Sequence, residues 1–335
     1  MPPRPARSFL HFLQRGTLTG ASFVFLLAAQ PQEAAPDTPS PATIRVVSWN
    51  VRNFTGTTLP TSSQPSPLSP KPREEVSAVV RTLASTQPDI VGLSEMGSDH
   101  DLQRLQEMLA EEGITLPHRE LVSGADPVRH LAVLSRFPIA SRQHETRLSY
   151  QLGTSRFPIQ RGILDVTIQP APHWQLRLCG VHLKSRRDTP EAEESLMRRN
   201  EAHLLRRKID DILRAAPQSP LLLFGDFNDS RDSPSLRSIR GIRANGRYLA
   251  ELPCADDRGE RWTYHFPEED SYSRIDFLLA SRSLRPAIAD ADCRIPSDRA
   301  WRLASDHRPL ATVIRIPVPV PPDPARTKAA TRGRQ

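Results

Sequence analysis

Six times along this 335-residue chain, a short apolar stretch borders directly on a carboxylate, an amide or an imidazole. The six junctions are Ser48-Trp49-Asn50, Leu93-Ser94-Glu95, Val181-His182-Leu183, Gly225-Asp226-Phe227-Asn228, Arg274-Ile275-Asp276 and Ser305-Asp306-His307. Each reads as a polar residue set just after an apolar strand. Strand ends are where α/β proteins place their sites, because the loops there converge on rigid supports.

The stretches between these junctions alternate in period. Thr43–Trp49, Asp89–Leu93, His130–Leu134, Gly162–Ile168, Leu176–Leu183, Leu221–Phe224, Ile275–Ala280 and Leu310–Ile316 are β-rich or continuously apolar and predict strands. Val76, Val79, Val80 and Leu83 have the i, i+3, i+4, i+7 spacing of an amphipathic helix over Arg73–Thr86, stopped by Pro88. Asp101–Glu112 repeats the pattern and stops at Gly113, and Glu191–Ala215 predicts a long third helix. Strands and helices interleave from 43 to 316 with no linker between halves, so one α/β (α+β) domain is expected. Gly56–Lys71 is a polar Pro/Ser/Thr-rich loop.

The ends differ in kind. In 1–29, Arg4, Arg7 and Arg15 precede the apolar run Ala21–Ala29, which is too short to span a bilayer as a permanent helix. This reads as a signal peptide and predicts export to the periplasm or medium, with an uncleaved N-terminal membrane anchor as the alternative. Residues 30–42 read as a linker and 317–335 as a disordered Pro-rich basic tail. These ends decide how the charge is read. Of 45 basic and 38 acidic residues, seven basic and one acidic lie in 1–29 and 317–335, which leaves 38 and 37 in 30–316. The basic pI therefore does not imply a polyanion partner for the domain. Cys179, Cys254 and Cys293 are an odd set, so at least one thiol is free. Cys179 reads as a core thiol, and no spacing argument decides whether Cys254 and Cys293 pair.

At the junctions themselves, Asn50 and Glu95 offer hard oxygen donors, which suit Mg²⁺ or Mn²⁺ better than zinc. Asp226 and Asn228 are two apart. In an extended strand they would point the same way, toward one phosphate, and the same letters also fit an Asp/Asn turn. Asp306 and His307 are neighbours, so one can approach a metal while the other reaches a phosphate. Each residue alone has a plain structural reading: a turn asparagine, a surface glutamate, a core histidine, or an Asp276–Arg274 ion pair.

Taken together and in order, SWN, LSE, GDFND (Gly225–Asp229) and SDHRPL (Ser305–Leu310) resemble the endonuclease/exonuclease/phosphatase superfamily over roughly 43–316. The resemblance implies a deoxyribonuclease I-like four-layer α/β sandwich, with two packed mixed sheets flanked by helices. It implies a metal held by Asn50, Glu95 and Asp306. His182, Asp226, Asn228, Asp276 and His307 would be catalytic: Asp226 activating water, Asn228 and His182 on the phosphoryl group, and Asp276 pairing with His307. Ser94 departs from the glutamine often found there.

The expected activity is hydrolysis of a phosphodiester or phosphomonoester by in-line attack of water, with Mg²⁺ or Mn²⁺ as cofactor, from a monomer. An exported deoxyribonuclease I-like endonuclease is the first alternative, with nucleic acid as partner, although the near-neutral domain does not indicate one. A non-catalytic binding module is the second. No exposed apolar loop suggests a lipid substrate. The arginines Arg186, Arg187, Arg198, Arg199, Arg206 and Arg207 read as a salt-bridged helix face, and Trp262–Phe266 as either pocket lining or core.

Overall fold

The computed structural model describes residues 42–56 and 69–318. The expected signal peptide, the linker up to residue 41 and nearly all of the basic tail lie outside these residues, as does most of the Gly56–Lys71 loop.

Two sheets form the centre. In the first, the order is β15 (Leu310–Arg315), β1 (Thr43–Phe54), β2 (Ile90–Met96), β4 (His130–Ser135) and β3 (His118–Val122). In the second it is β11 (Ala250–Glu251), β14 (Asp276–Ala280), β10 (Leu221–Asp226), β9 (Trp174–His182), β8 (Leu164–Ala171) and β5 (Ile139–Arg142). Two hairpins stand apart, β6 (Ser149–Leu152) with β7 (Ser155–Pro158), and β12 (Tyr264–Phe266) with β13 (Ser271–Ser273). The helices are α1 (Arg73–Thr86), α2 (Asp99–Glu111), α3 (Glu194–Ala215), α4 (Pro234–Arg240) and the one-turn α5 (Trp301–Ala304).

Side-chain alternation explains the layering. In β1, Ile44 and Val46 face the second sheet, while Val47, Trp49 and Val51 face the helices. One core fills the space between the sheets, with Ile44, Val46, Leu131 and Val133 meeting Leu164, Leu178, Leu222, Phe224 and Leu278. A second core lies under α1, α2 and α5, and a third under α3 and α4. The chain is thus a four-layer α/β sandwich. Phe224 sets the sheet spacing: a Cβ at Gly92 would lie 2.3 Å from its ring and one at Gly180 would lie 2.7 Å away. Among the described residues, no helix is long and apolar enough to cross a membrane.

The strand directions correct one sequence expectation. Asp276 opens β14 rather than following a strand, and Asp306-His307 precede β15. Both nonetheless reach the edge where the other junctions lie. β14 runs antiparallel to β10, and β15 antiparallel to β1, so their N-terminal ends meet the C-terminal ends of their neighbours. The same pairing sets Asp226 directly opposite Asp276 on one side and His182 on the other. The edge strands β3 and β5, the hairpins and α4 were not legible as elements. Their residues are short, half-exposed and mixed in polarity.

Candidate active site

All eight residues singled out from the sequence meet at this edge. The centre is Asn50, whose Oδ1 accepts from the Arg52 N–H at 3.0 Å. That bond turns the amide nitrogen inward, where Nδ2 donates to Asp226 Oδ2 at 3.0 Å and Glu95 Oε1 at 3.2 Å, and lies 3.5 Å from His307 Nε2. The sequence suggested the Asn50 oxygen as a metal ligand. In the structure the nitrogen faces the carboxylates.

Asp226 and Asn228 are joined by a turn, not by extended alternation. Asp226 ends β10, Asn228 has φ +50°, and the Asn228 N–H donates to Asp226 Oδ1 at 2.8 Å. Gly225 makes this approach feasible, since its φ is +137° and a Cβ there would lie 1.9 Å from the Val181 carbonyl oxygen. Asn228 Nδ2 donates to the Leu183 carbonyl at 3.0 Å, which leaves its other amide hydrogen for a ligand.

His307 and Asp276 form a buried pair, with Nδ1–H donating to Asp276 Oδ2 at 2.8 Å. Asp276 is itself held by Thr263, whose Oγ1 accepts from the Ile275 and Asp276 N–H groups at 3.1 and 3.0 Å. Burial opposes a charge on His307, but Asp276 and Asp226 outweigh it and push the imidazole up to about 10. At neutral pH the ring is a cation. Asp226 is raised as well, with the opposite effect on its charge: burial first, then the Asp276 charge, push it up to about 7. Burial and the nearby Arg161 push His182 well below the usual histidine range, so it stays neutral. Its Nε2 lies 3.6 Å from Asp226 Oδ2 and 3.9 Å from Glu95 Oε1, and its buried Nδ1 has no hydrogen-bond partner among the described residues.

Glu95 and Asp306 are the open carboxylates, with side chains 16% and 26% exposed against 2% and 6% for Asp226 and Asp276. Glu95 holds a left-handed φ of +61°, and Arg52 and Asn53 beside it are also left-handed. With Asn228, that places four of the six such non-glycine residues described at this one site. Such backbone is unfavourable for L residues and gathers where surrounding structure enforces it, commonly at functional sites. Asp306 Oδ1 lies 4.0 Å from His307 Nε2.

A cation fits this donor set on two observations. Asp226 and Asp276 lie side by side, and the Asp276 charge is, after burial, what raises Asp226, while the two solvent-open carboxylates present hard oxygens. Asp226, Asp276 and His307 also have ligand atoms within 4.8 Å of one another. That trio is better read as a hydrogen-bonded pair beside a carboxylate, because a His307 that keeps both protons cannot ligate.

Further residues reach the site, and of these Arg129 carried no sequence signal. Arg129 donates to Asn53 Oδ1 at 2.8 Å and lies 3.8 Å from Glu95, placed by a loop before β4. The Tyr264 ring packs 4.8 Å from His307, so part of Trp262–Phe266 does line the site. Arg186, read as part of a solvated face, instead donates from Nε to the Asn228 carbonyl at 3.1 Å. Arg198 and Arg206 form ion pairs with Glu194 and Asp210, but both are buried, so this part of the face is salt-bridged and not solvated. Cys179, Cys254 and Cys293 are buried free thiols.

The family model described as "Endonuclease/Exonuclease/phosphatase family" matches residues 47–307. No curated protein matches the chain in sequence. Among solved structures, the human Nocturnin catalytic domain with bound sulfate anion superposes with TM-score 0.57 at 18% identity, covering 81% of this chain and 94% of that one. An endonuclease/exonuclease/phosphatase family protein from Leptotrichia buccalis gives 0.55 at 16%, covering 82% and 100%. Truncated Caenorhabditis elegans TDP2 gives 0.55 at 16%, also covering 82% and 100%. At these identities the likeness carries the fold.

Proposed function

The chain belongs to the endonuclease/exonuclease/phosphatase family, and from that premise we propose that it is a divalent-metal-dependent phosphoesterase that hydrolyses a phosphodiester by in-line attack of water. The observation that carries the reading is the Asn50 hub. One amide nitrogen ties a base-like carboxylate, Asp226, to an open metal-type carboxylate, Glu95, beside an imidazole that is charged at neutral pH.

Glu95 and Asp306 would hold the cation. Bound there, Mg²⁺ or Mn²⁺ would supply positive charge to a phosphoryl oxygen and to the leaving oxygen. The chain's own residues do the rest. Asp226, raised to about 7, is matched to taking a proton from water near neutral pH. Its Oδ1 is fixed by the Asn228 N–H and its Oδ2 by Asn50, so the carboxylate is oriented before substrate arrives. His307, pushed up to about 10, keeps Nε2–H as a charged donor for a phosphoryl oxygen, while Nδ1–H stays on Asp276. The free amide hydrogen of Asn228 and a neutral His182 add further hydrogen bonds. No covalent intermediate is called for, since the site presents a base and not an activated nucleophile.

The test is hydrolysis of bis-p-nitrophenyl phosphate by the purified protein. Activity that needs Mg²⁺ or Mn²⁺, vanishes in EDTA and is lost in Asp226→Asn supports the reading. EDTA-resistant turnover, or a fully active Asp226→Asn, sinks it. Export rests on Arg4, Arg7, Arg15 and the apolar run Ala21–Ala29, and N-terminal sequencing of the protein recovered outside the cytoplasm tests it.

A further inference from the structure

Beside the carboxylate edge lies a cavity of about 260 Å³ that shares Ser305 and Asp306 with the site. Its walls are aromatic: Trp262, His265, Tyr272 and Trp301. Trp262 meets Tyr272 at 4.8 Å and Trp301 at 5.7 Å, both edge-on, while His265 and Tyr272 stack at 4.5 Å and 17°. These rings come from the β12–β13 hairpin, the residues just before it and α5, and the hairpin hangs directly on the site. The His265 N–H donates to the Asp306 carbonyl at 3.0 Å, and Tyr264 bridges to His307.

Core packing accounts for Trp301 and for part of Trp262, but not for Tyr272. Tyr272 is 53% exposed, although the buried Trp301 lies within the same cluster. Arg308 covers Trp262, its Cζ 4.2 Å from the ring centre, and is locked there by Asp256. The remaining ring surface opens into the cavity. The charges then select the occupant. Arg52 and Arg302 outnumber Asp306 in the same cavity, so a quaternary ammonium, the usual guest of an aromatic cage, meets a net positive charge. A flat, neutral, π-rich ring would stack on the aromatics and on the guanidinium planes. The volume lies just below the roughly 300 Å³ where whole-ligand pockets begin, and suits one ring system.

We propose that this cavity is a stacking subsite for one nucleobase of a nucleotide phosphodiester whose phosphate lies at Asp226 and His307. The proposal rests on the phosphoesterase reading above and narrows its substrate class. Stacking is tolerant of base identity, because every base has a π face. The subsite therefore selects for the presence of a base and not for a sequence.

Two measurements separate this proposal from its premise. The first is calorimetric binding in EDTA, where no turnover occurs, of thymidine 5′-monophosphate against 2-deoxyribose 5-phosphate, which carries the same anion without a base. The expected result is tighter binding of the nucleotide by about tenfold, within the range for one stacked base. Tyr272→Ala should bring that ratio toward one, and Tyr272→Phe, which keeps the ring, should retain it. The second is Mg²⁺-dependent cleavage of thymidylyl-thymidine against the matching dinucleotide with abasic sites, where the base-bearing compound should have the lower KM. Equal binding of nucleotide and sugar phosphate overturns the subsite whatever the activity. A binding preference that survives both Tyr272→Ala and Trp262→Leu overturns it as well. Preferential binding with neither dinucleotide cleaved leaves the subsite standing and removes the phosphoesterase reading instead.

Discussion

The two sheets build their halves of the site in opposite ways. The second sheet delivers His182, Asp226 and Asp276 side by side in regular register at the ends of three neighbouring strands, all buried. The first adds the buried Asn50 and His307 to that group, but it delivers Glu95 from a left-handed residue beside left-handed Arg52 and Asn53, at a break in the β1–β2 register. Regular, buried backbone holds charges at fixed spacing and moves their pKa values. Irregular, partly open backbone turns hard oxygens toward solvent. The first arrangement suits proton transfer and anion recognition, and the second suits an exchangeable cation.

The largest expected effect breaks the buried half. Asp226→Asn keeps the shape and the Asn50 contact but removes the base, so kcat should fall about 10²–10⁴-fold, with no recovery at high Mg²⁺. The same change removes a carboxylate that burial disfavours, so the metal-free protein should melt no lower than wild type at pH 8. A variant that loses activity only because it unfolds would contradict the separation of roles. Glu95→Gln tests the open half. Activity should fall roughly 10–100-fold at fixed Mg²⁺, a scale typical of weakened metal sites, and a large part should return as Mg²⁺ is raised. Equal metal dependence in Glu95→Gln and wild type would erase the difference between the halves.

The same contrast governs what could be read in the sequence. Asp226, Asn228, Asp306 and His307 sit in GDFND and SDHRPL, where chemical residues are dense and local, and these segments lie at the site. The geometry inside GDFND was not legible as an extended pair, because Gly225 at φ +137° and Asn228 at φ +50° leave the strand conformation that the i, i+2 argument assumes. Arg129 reaches the site through tertiary placement alone, and nothing in its own neighbourhood marks it, whereas Tyr264 lies in the aromatic run Trp262–Phe266 whose pocket-lining reading the His307 contact supports. The central strands were visible because they are rich in β-branched residues or carry continuous apolar runs. The edge strands β3 and β5 pair on one side only and carry residues that serve solvent as well as core.

A smaller effect tests how the buried half is held. Thr263 is fully buried, and its Oγ1 receives the two N–H groups that enter β14 at Asp276. Thr263→Val keeps the volume and orphans both donors, which should cost about 1–3 kcal/mol in urea unfolding. It should lower kcat more than it raises the Mg²⁺ requirement, because it loosens Asp276 and His307 and leaves Glu95 alone. The reverse pattern would mean that the halves are mechanically one unit.

The subtlest test is the pH dependence of stability in EDTA. Asp226 and His307 both have folded-state values raised above their ordinary ones, to about 7 and about 10. A group raised on folding contributes stability that is complete below its unfolded value and is lost as pH climbs through its folded value. Asp226 should therefore weaken the metal-free fold between about pH 4 and 7, and His307 between about 6.5 and 10. Asp226→Asn should flatten the lower part of the curve and, by removing one of the charges that raise His307, pull the upper part to lower pH. His307→Gln should remove the upper part. Added Mg²⁺ should offset the lower loss, since its charge favours the ionised carboxylate that rising pH creates. A metal-free fold whose stability rises from pH 4 to 7 in proportion to Asp226 would show that the buried half does not carry the repulsion its register imposes.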